Sequence, residues 1–481
     1  MKSRVLNTLL VLFFLCGLAI SSGIAQTEEE IDVVPAYVPP AEQALAPVKL
    51  PPIKEKVLKN GLKVIVVEHH ELPVVSLRLM CKAGSQYDPA GKAGLTRFMT
   101  DLLTKGTETL SATEIADKID FIGGRLSAGS NWDATYVTCT ALTKHLQTAL
   151  ELMQDVVLNP AFSDGEIERN RQQTLSSIEN DKDRPSTIAS EAFNRWLFGE
   201  HPYAFPIEGT EETVKSFTRD DVLKQYELIF NPNNSALFIV GDISPKKAFK
   251  IARESFQSWP EGSVPEAVFP IPEAPEGYKV RLVNKPDATQ AQIRFGHLGI
   301  ARGNEDYFPV VIMNYILGGG GFASRLVKVI RSEKGLTYSV RSSFSTRLQA
   351  GPFTTSTFTK NESTLEAIEA MIELIKEYQE SGPTDEELKK AKSYLTGSYP
   401  LNFETPSSIA GQLQGVELYD LGSDYIEKYR DRVNAVTKED VIRVARKYLH
   451  SDDMLFVVVS KADEVKEDLE KLGPVEVLEI E

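Results

Sequence analysis

The sequence predicts two similar α+β domains, each a mostly antiparallel sheet covered by helices, and three observations carry that prediction. The segment Ser216-Phe-Thr-Arg-Asp-Asp-Val222 with Ala236-Leu-Phe-Ile-Val240 recurs as Ala435-Val-Thr-Lys-Glu-Asp-Val441 with Met454-Leu-Phe-Val-Val458, an offset of about 219 residues. A Pro-rich stretch (Pro260, Pro265, Pro270, Pro272, Pro275) breaks the pattern between the two copies and marks the domain boundary. Tyr136, Thr138 and Thr140 alternate with Thr135, Val137 and Cys139, the signature of a sheet with one buried face.

In chain order, strands are expected over Leu62–Glu68 and Val74–Lys82, helices over Leu95–Leu103 and Ala112–Ile122, and a strand over Ala134–Leu142. Long helices then run to about Gln225 and a buried strand closes the half. Thr218 and Thr437 read as equivalent helix N-caps, with acids in the first turn facing the positive end of the helix dipole. The resulting division is a signal peptide (1–25), a Pro-rich leader (26–52), an N-terminal domain (53–257), a Pro-rich linker (258–277) and a C-terminal domain (278–481).

The composition, 42% hydrophobic and 25% charged over 481 residues, is that of a soluble globular chain. A net charge of −15 without a local Lys/Arg cluster repels phosphate backbones, so nucleic acid is excluded as a partner. Lys2 and Arg4 precede the apolar run Leu9–Ile20, and Ser21-Ser22-Gly23-Ile24-Ala25 sets small residues before a cut after Ala25. That run is too short to span a bilayer, which takes about 20 apolar residues, so secretion into the bacterial periplasm is expected, with no membrane span after cleavage. Cys16 follows Leu15 where lipid attachment wants a small residue. Cys81 and Cys139 are too few for a disulfide scaffold, and whether they pair stays open.

Gly94-Leu-Thr-Arg-Phe-Met-Thr-Asp-Leu-Leu-Thr-Lys-Gly-Thr107 closely resembles the signature helix of the insulinase, pitrilysin and mitochondrial processing peptidase family, the inverzincins. Phe198-Gly-Glu-His-Pro-Tyr203 and Glu208-Gly-Thr210 also look like the family. The resemblance implies the processing-peptidase architecture, two clam-like halves around a chamber for peptides. Active members carry His-x-x-Glu-His on this helix, two imidazoles one turn apart for zinc and a Glu to activate the metal-bound water, with a distal Glu completing the site. The matching positions here are Arg97, Thr100 and Asp101, and the distal region reads Leu175-Ser176-Ser177-Ile178. A permanent cation, two neutral hydroxyls and one carboxylate do not make a zinc site, so this chain is expected to bind no cofactor. Arg97 and Asp101, at i and i+4, are expected to form an ion pair. His69 and His70, adjacent in a strand, point to opposite faces and read as solvated strand-end residues rather than a metal pair.

The second half keeps something the first has lost. Leu317-Gly-Gly-Gly-Gly-Phe-Ala-Ser-Arg-Leu326 leads into a helix ending near Arg331, with Gly335 as its C-cap and a strand expected over Leu336–Val340. This is similar to the family's second functional segment, in which an Arg and a Tyr seven positions later reach the zinc site of the facing domain and steady the oxyanion. Arg331 and Tyr338 match that pair in type and spacing. Gly318, Gly319, Gly320 and Gly321 read either as a substrate-binding loop, as in non-catalytic processing-peptidase subunits, or as a tight turn before Ser324.

The resemblance therefore implies a non-catalytic, secreted subunit, inactive alone, that pairs with a homologous zinc-bearing peptidase subunit and lends Arg331 and Tyr338 to hydrolysis of peptide substrates. The alternative is a non-enzymatic peptide-binding or scaffold protein of the same fold.

Overall fold

The structure, a computed structural model, describes residues 49–479. The signal peptide, Cys16 and the leader up to residue 48 lie outside the described residues.

The first half builds a six-stranded sheet from β1 (Ile53–Val57), β2 (Lys63–Glu68), β3 (Val74–Cys81), β4 (Arg125–Ser130), β5 (Thr135–Leu142) and β6 (Ser235–Gly241), in the order β1-β2-β6-β3-β5-β4. The second uses β7 (Tyr278–Asn284), β8 (Ala291–Leu298), β9 (Val340–Phe344), β10 (Pro352–Thr359), β11 (Met454–Ser460) and β12 (Val475–Glu479), in the order β12-β7-β11-β8-β10-β9. β2 with β6, and β7 with β11, run parallel, while the remaining pairs inside each shared five-strand set are antiparallel. The sixth strand is where the halves differ, because β1 enters before β2 and runs antiparallel to it, whereas β12 returns from the end of the chain parallel to β7.

The repeated caps form as the sequence predicts. Thr218 Oγ1 accepts from Asp221 N at 3.2 Å and Thr437 Oγ1 from Asp440 N at 3.1 Å. Each Asp carboxylate in turn accepts the backbone N–H of its Thr, closing two capping boxes at equivalent positions.

The sheets depart from the one-face expectation at their centres. Thr135–Leu142 does alternate as predicted, but every residue of β6 and of β11 is buried. On one face of the first sheet, Leu77, Leu79 and Val137 pack with Phe98, Met153 and Phe256 from its own helices. On the other, Ile65, Val67, Phe238 and Val240 pack with Ile409, Ala410 and Leu413 of the helix Pro406–Leu418, which belongs to the second half. The reciprocal holds, since Val457 and Val459 pack with Ala189, Phe193 and Leu197 of the helix Pro185–Phe198 from the first half. Each half thus covers the second face of the other's sheet. Glu417 reinforces the exchange by accepting from Lys63 and Lys82 of the first sheet, both at 2.7 Å.

Strand register also decides the cysteine question. Cys139 lies opposite Leu77 on β3, and Cys81 lies opposite Thr135 on β5, so the two thiols are four residues apart along the ladder. At about 3.3 Å per residue no disulfide can close that gap, and both cysteines are free and buried.

Candidate functional site

The helix Leu95–Leu102 starts at Gly94, whose φ of 91° only glycine adopts readily and whose added Cβ would stand 2.5 Å from the Gly209 backbone. The side chain of Asp88 takes the place of a cap, accepting from Gly94 N and Thr96 N, both at 2.8 Å. Burial pushes the Asp88 carboxyl up to about 7 against those hydrogen bonds.

This anchoring turns Arg97 and Asp101 outward. Arg97 Nε lies 3.0 Å from the Asp101 carboxylate, the expected ion pair. Burial raises the Asp101 pKa, and the Arg97 charge and hydrogen bond only partly offset it. Ser177, exposed on the helix Asp164–Lys182, joins Arg97, Asp101 and Glu208 around a cavity of about 380 Å³. Three of the four sequence-predicted metal-site positions are therefore brought together. Thr100 is not with them: it is fully buried, and its hydroxyl donates to Arg97 O at 2.8 Å. The donor set does not fit zinc, because the guanidinium occupies the carboxylate and the Thr100 oxygen is turned into its own helix. Among the described residues no group of three or more His, Cys, Asp or Glu could hold a metal ion. His69 proves largely buried rather than solvated, while His70 is exposed and held between Asp242 (2.6 Å) and Glu68 (3.0 Å).

The second site gathers Arg331, Tyr338, Gly318, Gly319 and Gly321 around a separate cavity of about 520 Å³. Arg331 sits on a π-helical turn, Val327–Glu333, a wider coil frequent at functional sites. Gly335, at φ 65°, lies just beyond this turn, as the C-cap reading expects. The strand does not begin at Leu336 as predicted but at Val340. Thr337 Oγ1 accepts from Ser339 N at 3.1 Å, a local turn that competes with the ladder and leaves Tyr338 displayed, 79% exposed. Arg331 is steadied by an aromatic face instead of an acid: its guanidinium lies 4.5 Å from the Phe322 ring, itself 77% exposed.

The four glycines have steric reasons for being glycine. A Cβ on Gly318 would stand 2.5 Å from Ser342 N, on Gly319 2.7 Å from Asn314 Nδ2, and on Gly320 2.6 Å from Tyr315 O. Gly321 sits at φ 56°, in the left-handed region. Gly320 does not line the cavity. The run is close-packed chain that delivers Phe322 to Arg331, and Phe322 is the site residue that motif spacing did not single out.

Residues 63–211 match the family model described as insulinase, peptidase family M16, and residues 216–395 match the model described as peptidase M16 inactive domain. A Bacillus subtilis (strain 168) protein named uncharacterized zinc protease YmxG is 26% identical over 85% of this chain and 98% of its own length. A Helicobacter pylori protein named non-peptidase homolog YmxG is 25% identical over 84% of this chain and 93% of its own. In structure, a peptidase M16 inactive domain from Pseudomonas fluorescens superposes with a TM-score of 0.80 at 29% identity, covering 85% of this chain and 98% of that one. With both halves matched in order and the two-sheet fold shared, the chain belongs to the M16, insulinase-type peptidase family.

Proposed function

We propose that this chain is the non-catalytic subunit of a secreted, periplasmic, heterodimeric zinc metallopeptidase, and that it donates Arg331 and Tyr338 to the zinc site of a homologous partner. The observation that carries this reading is the separation of the two sites. Tyr338 is displayed beside Arg331 in a cavity of its own, which none of Arg97, Asp101 and Ser177 lines. An oxyanion donor acts only where a nucleophile attacks a carbonyl, and the residues on the signature helix supply no such nucleophile.

In this reading the Tyr338 hydroxyl donates a hydrogen bond to the oxygen that gains charge as a peptide carbonyl is attacked. The Arg331 guanidinium, oriented by Phe322, holds a carbonyl of the bound peptide in the ground state as well. The zinc is the partner's. The name non-peptidase homolog, borne by the Helicobacter pylori relative, agrees with a chain that is inactive alone.

Co-expression with a homologue carrying an intact His-x-x-Glu-His tests this, with zinc content and peptide cleavage measured for each chain and for the mixture. Activity in the mixture that exceeds the zinc chain alone is the expected result. A mixture no more active than the zinc chain leaves the peptide-binding or scaffold role instead.

A further inference from the structure

The chain carries 68 acidic against 53 basic side chains, yet none of the residues lining the Arg331 cavity is acidic, while two of them, Arg331 and Arg341, are arginines. A third arginine, Arg294, does not line the cavity but lies near Arg341. On the sheet, Arg341 of β9 lies opposite Ser356 of β10, and Ser356 lies opposite Arg294 of β8, so Arg341 and Arg294 sit level with each other on one face, two strands apart.

None of the three has a carboxylate partner among the described residues. Arg331 has only the Phe322 ring, Arg341 Nε donates to the Ser356 hydroxyl at 3.3 Å, and Arg294 Nε is buried without any hydrogen-bond acceptor. Burial first and the Arg341 charge second bring the Arg294 pKa down to about 10. Glu333, two residues beyond Arg331, is 4.0 Å from Lys328.

The duplicated half supplies the control. Arg78 occupies the matching register, opposite Phe238 and Thr138 where Arg294 is opposite Val457 and Ser356. There Arg78 Nε is likewise buried without an acceptor, but the exchanged helix provides one for Nη1, Gln414 Oε1 at 2.9 Å. In the second half nothing among the described residues takes that place. Neighbouring cations without a counterion cost stability, and an anion from outside would offset that cost.

We infer that Arg331 and Arg341, with Arg294 two strands from Arg341 on the same face of the sheet, form a recognition site for a peptide carboxylate, making acidic peptides the preferred ligands of this cavity. The inference rests on reading Arg331 as a substrate contact and adds the substrate's charge to that reading. The carboxylate comes from an acidic side chain or from a peptide C-terminus, two sources with one chemistry. Charge-assisted, forked guanidinium bonds suit either.

The test is fluorescence anisotropy with the full mature chain alone and four labelled peptides of one length. These are an acetylated, amidated peptide with two central glutamates, its glutamine counterpart, the glutamine peptide with a free C-terminal carboxylate, and a lysine counterpart. One of the two carboxylate peptides should bind at least about tenfold more tightly than the amidated glutamine peptide, more weakly as salt is raised, and which one does so identifies the source. Arg341→Gln, a change at an exposed position, should abolish the difference, and Arg294→Lys, which keeps the charge, should retain most of it. Equal affinity for all four peptides, tightest binding of the lysine peptide, or a carboxylate preference that survives Arg341→Gln would overturn the proposal. Because no partner is present, failure here leaves the shared-site reading standing, and loss of partner-dependent turnover leaves this preference standing.

Discussion

Arg97 and Asp101 face each other one helical turn apart, Nε 3.0 Å from the carboxylate, at two of the positions where active relatives would hold zinc. In the account proposed above the pair stands in for the metal, since a cation is now covalently part of the helix. It is also a weak replacement. Burial raises the Asp101 pKa more than Arg97 lowers it. A carboxyl whose folded pKa exceeds its unfolded value binds protons better when folded, so its contribution favours the fold at low pH and is lost as pH rises through the folded value. Asp101→Asn should therefore keep stability at pH 7 within about 1 kcal/mol of the parent, unchanged or slightly higher, by urea denaturation. A clear loss would mean the ion pair is a stabilising bridge.

The glycine run should fail by packing. Gly318→Ala sets a methyl group 2.5 Å from the Ser342 backbone and should cost about 1–3 kcal/mol. Gly321→Ala, with open space around it but φ at 56°, should cost about 1 kcal/mol. Thermal unfolding of both variants, in that order of severity, checks the assignment.

Cys81 and Cys139, with thiols pushed up to about 12 by burial, should resist alkylation in the native protein at pH 8. Both should label at once in denaturant without prior reduction. Fast native labelling would contradict their burial, and protection in denaturant until a reductant is added would contradict the register that keeps them apart.

The exchanged helices predict that neither half is soluble alone. Residues 53–257 expressed by themselves would expose Ile65, Val67, Phe238 and Val240, normally covered by the helix Pro406–Leu418. That fragment should aggregate, and co-expression with residues 278–481 as a second chain should return both to the soluble fraction.

Local signals made much of this legible. Thr218 and Thr437 announced their helices because a cap needs only four residues, and Tyr136 to Thr140 announced β5 because alternation is a two-residue period. β4, Arg125–Ser130, escaped because its Arg-Leu-Ser-Ala-Gly-Ser sequence offers little apolar alternation and pairing with β5 holds it. The double burial of β6 and β11 escaped for a different reason, since the covering helices arrive from the other half of the chain. In the candidate sites, the Arg97–Asp101 pair followed from helical spacing, whereas the turn that displays Tyr338 depends on one hydroxyl, Thr337, diverting the backbone from the strand.

The measurement that bears most directly on the shared-site account is the turnover of the mixed complex with Tyr338→Phe. Removing one phenolic donor from an oxyanion site should lower the rate by about 10² to 10³, with partner affinity and zinc content unchanged. Arg331→Ala should raise the apparent KM in addition. A mixed complex whose rate is untouched by Tyr338→Phe would contradict the account, and the chain would then be a scaffold of the same fold.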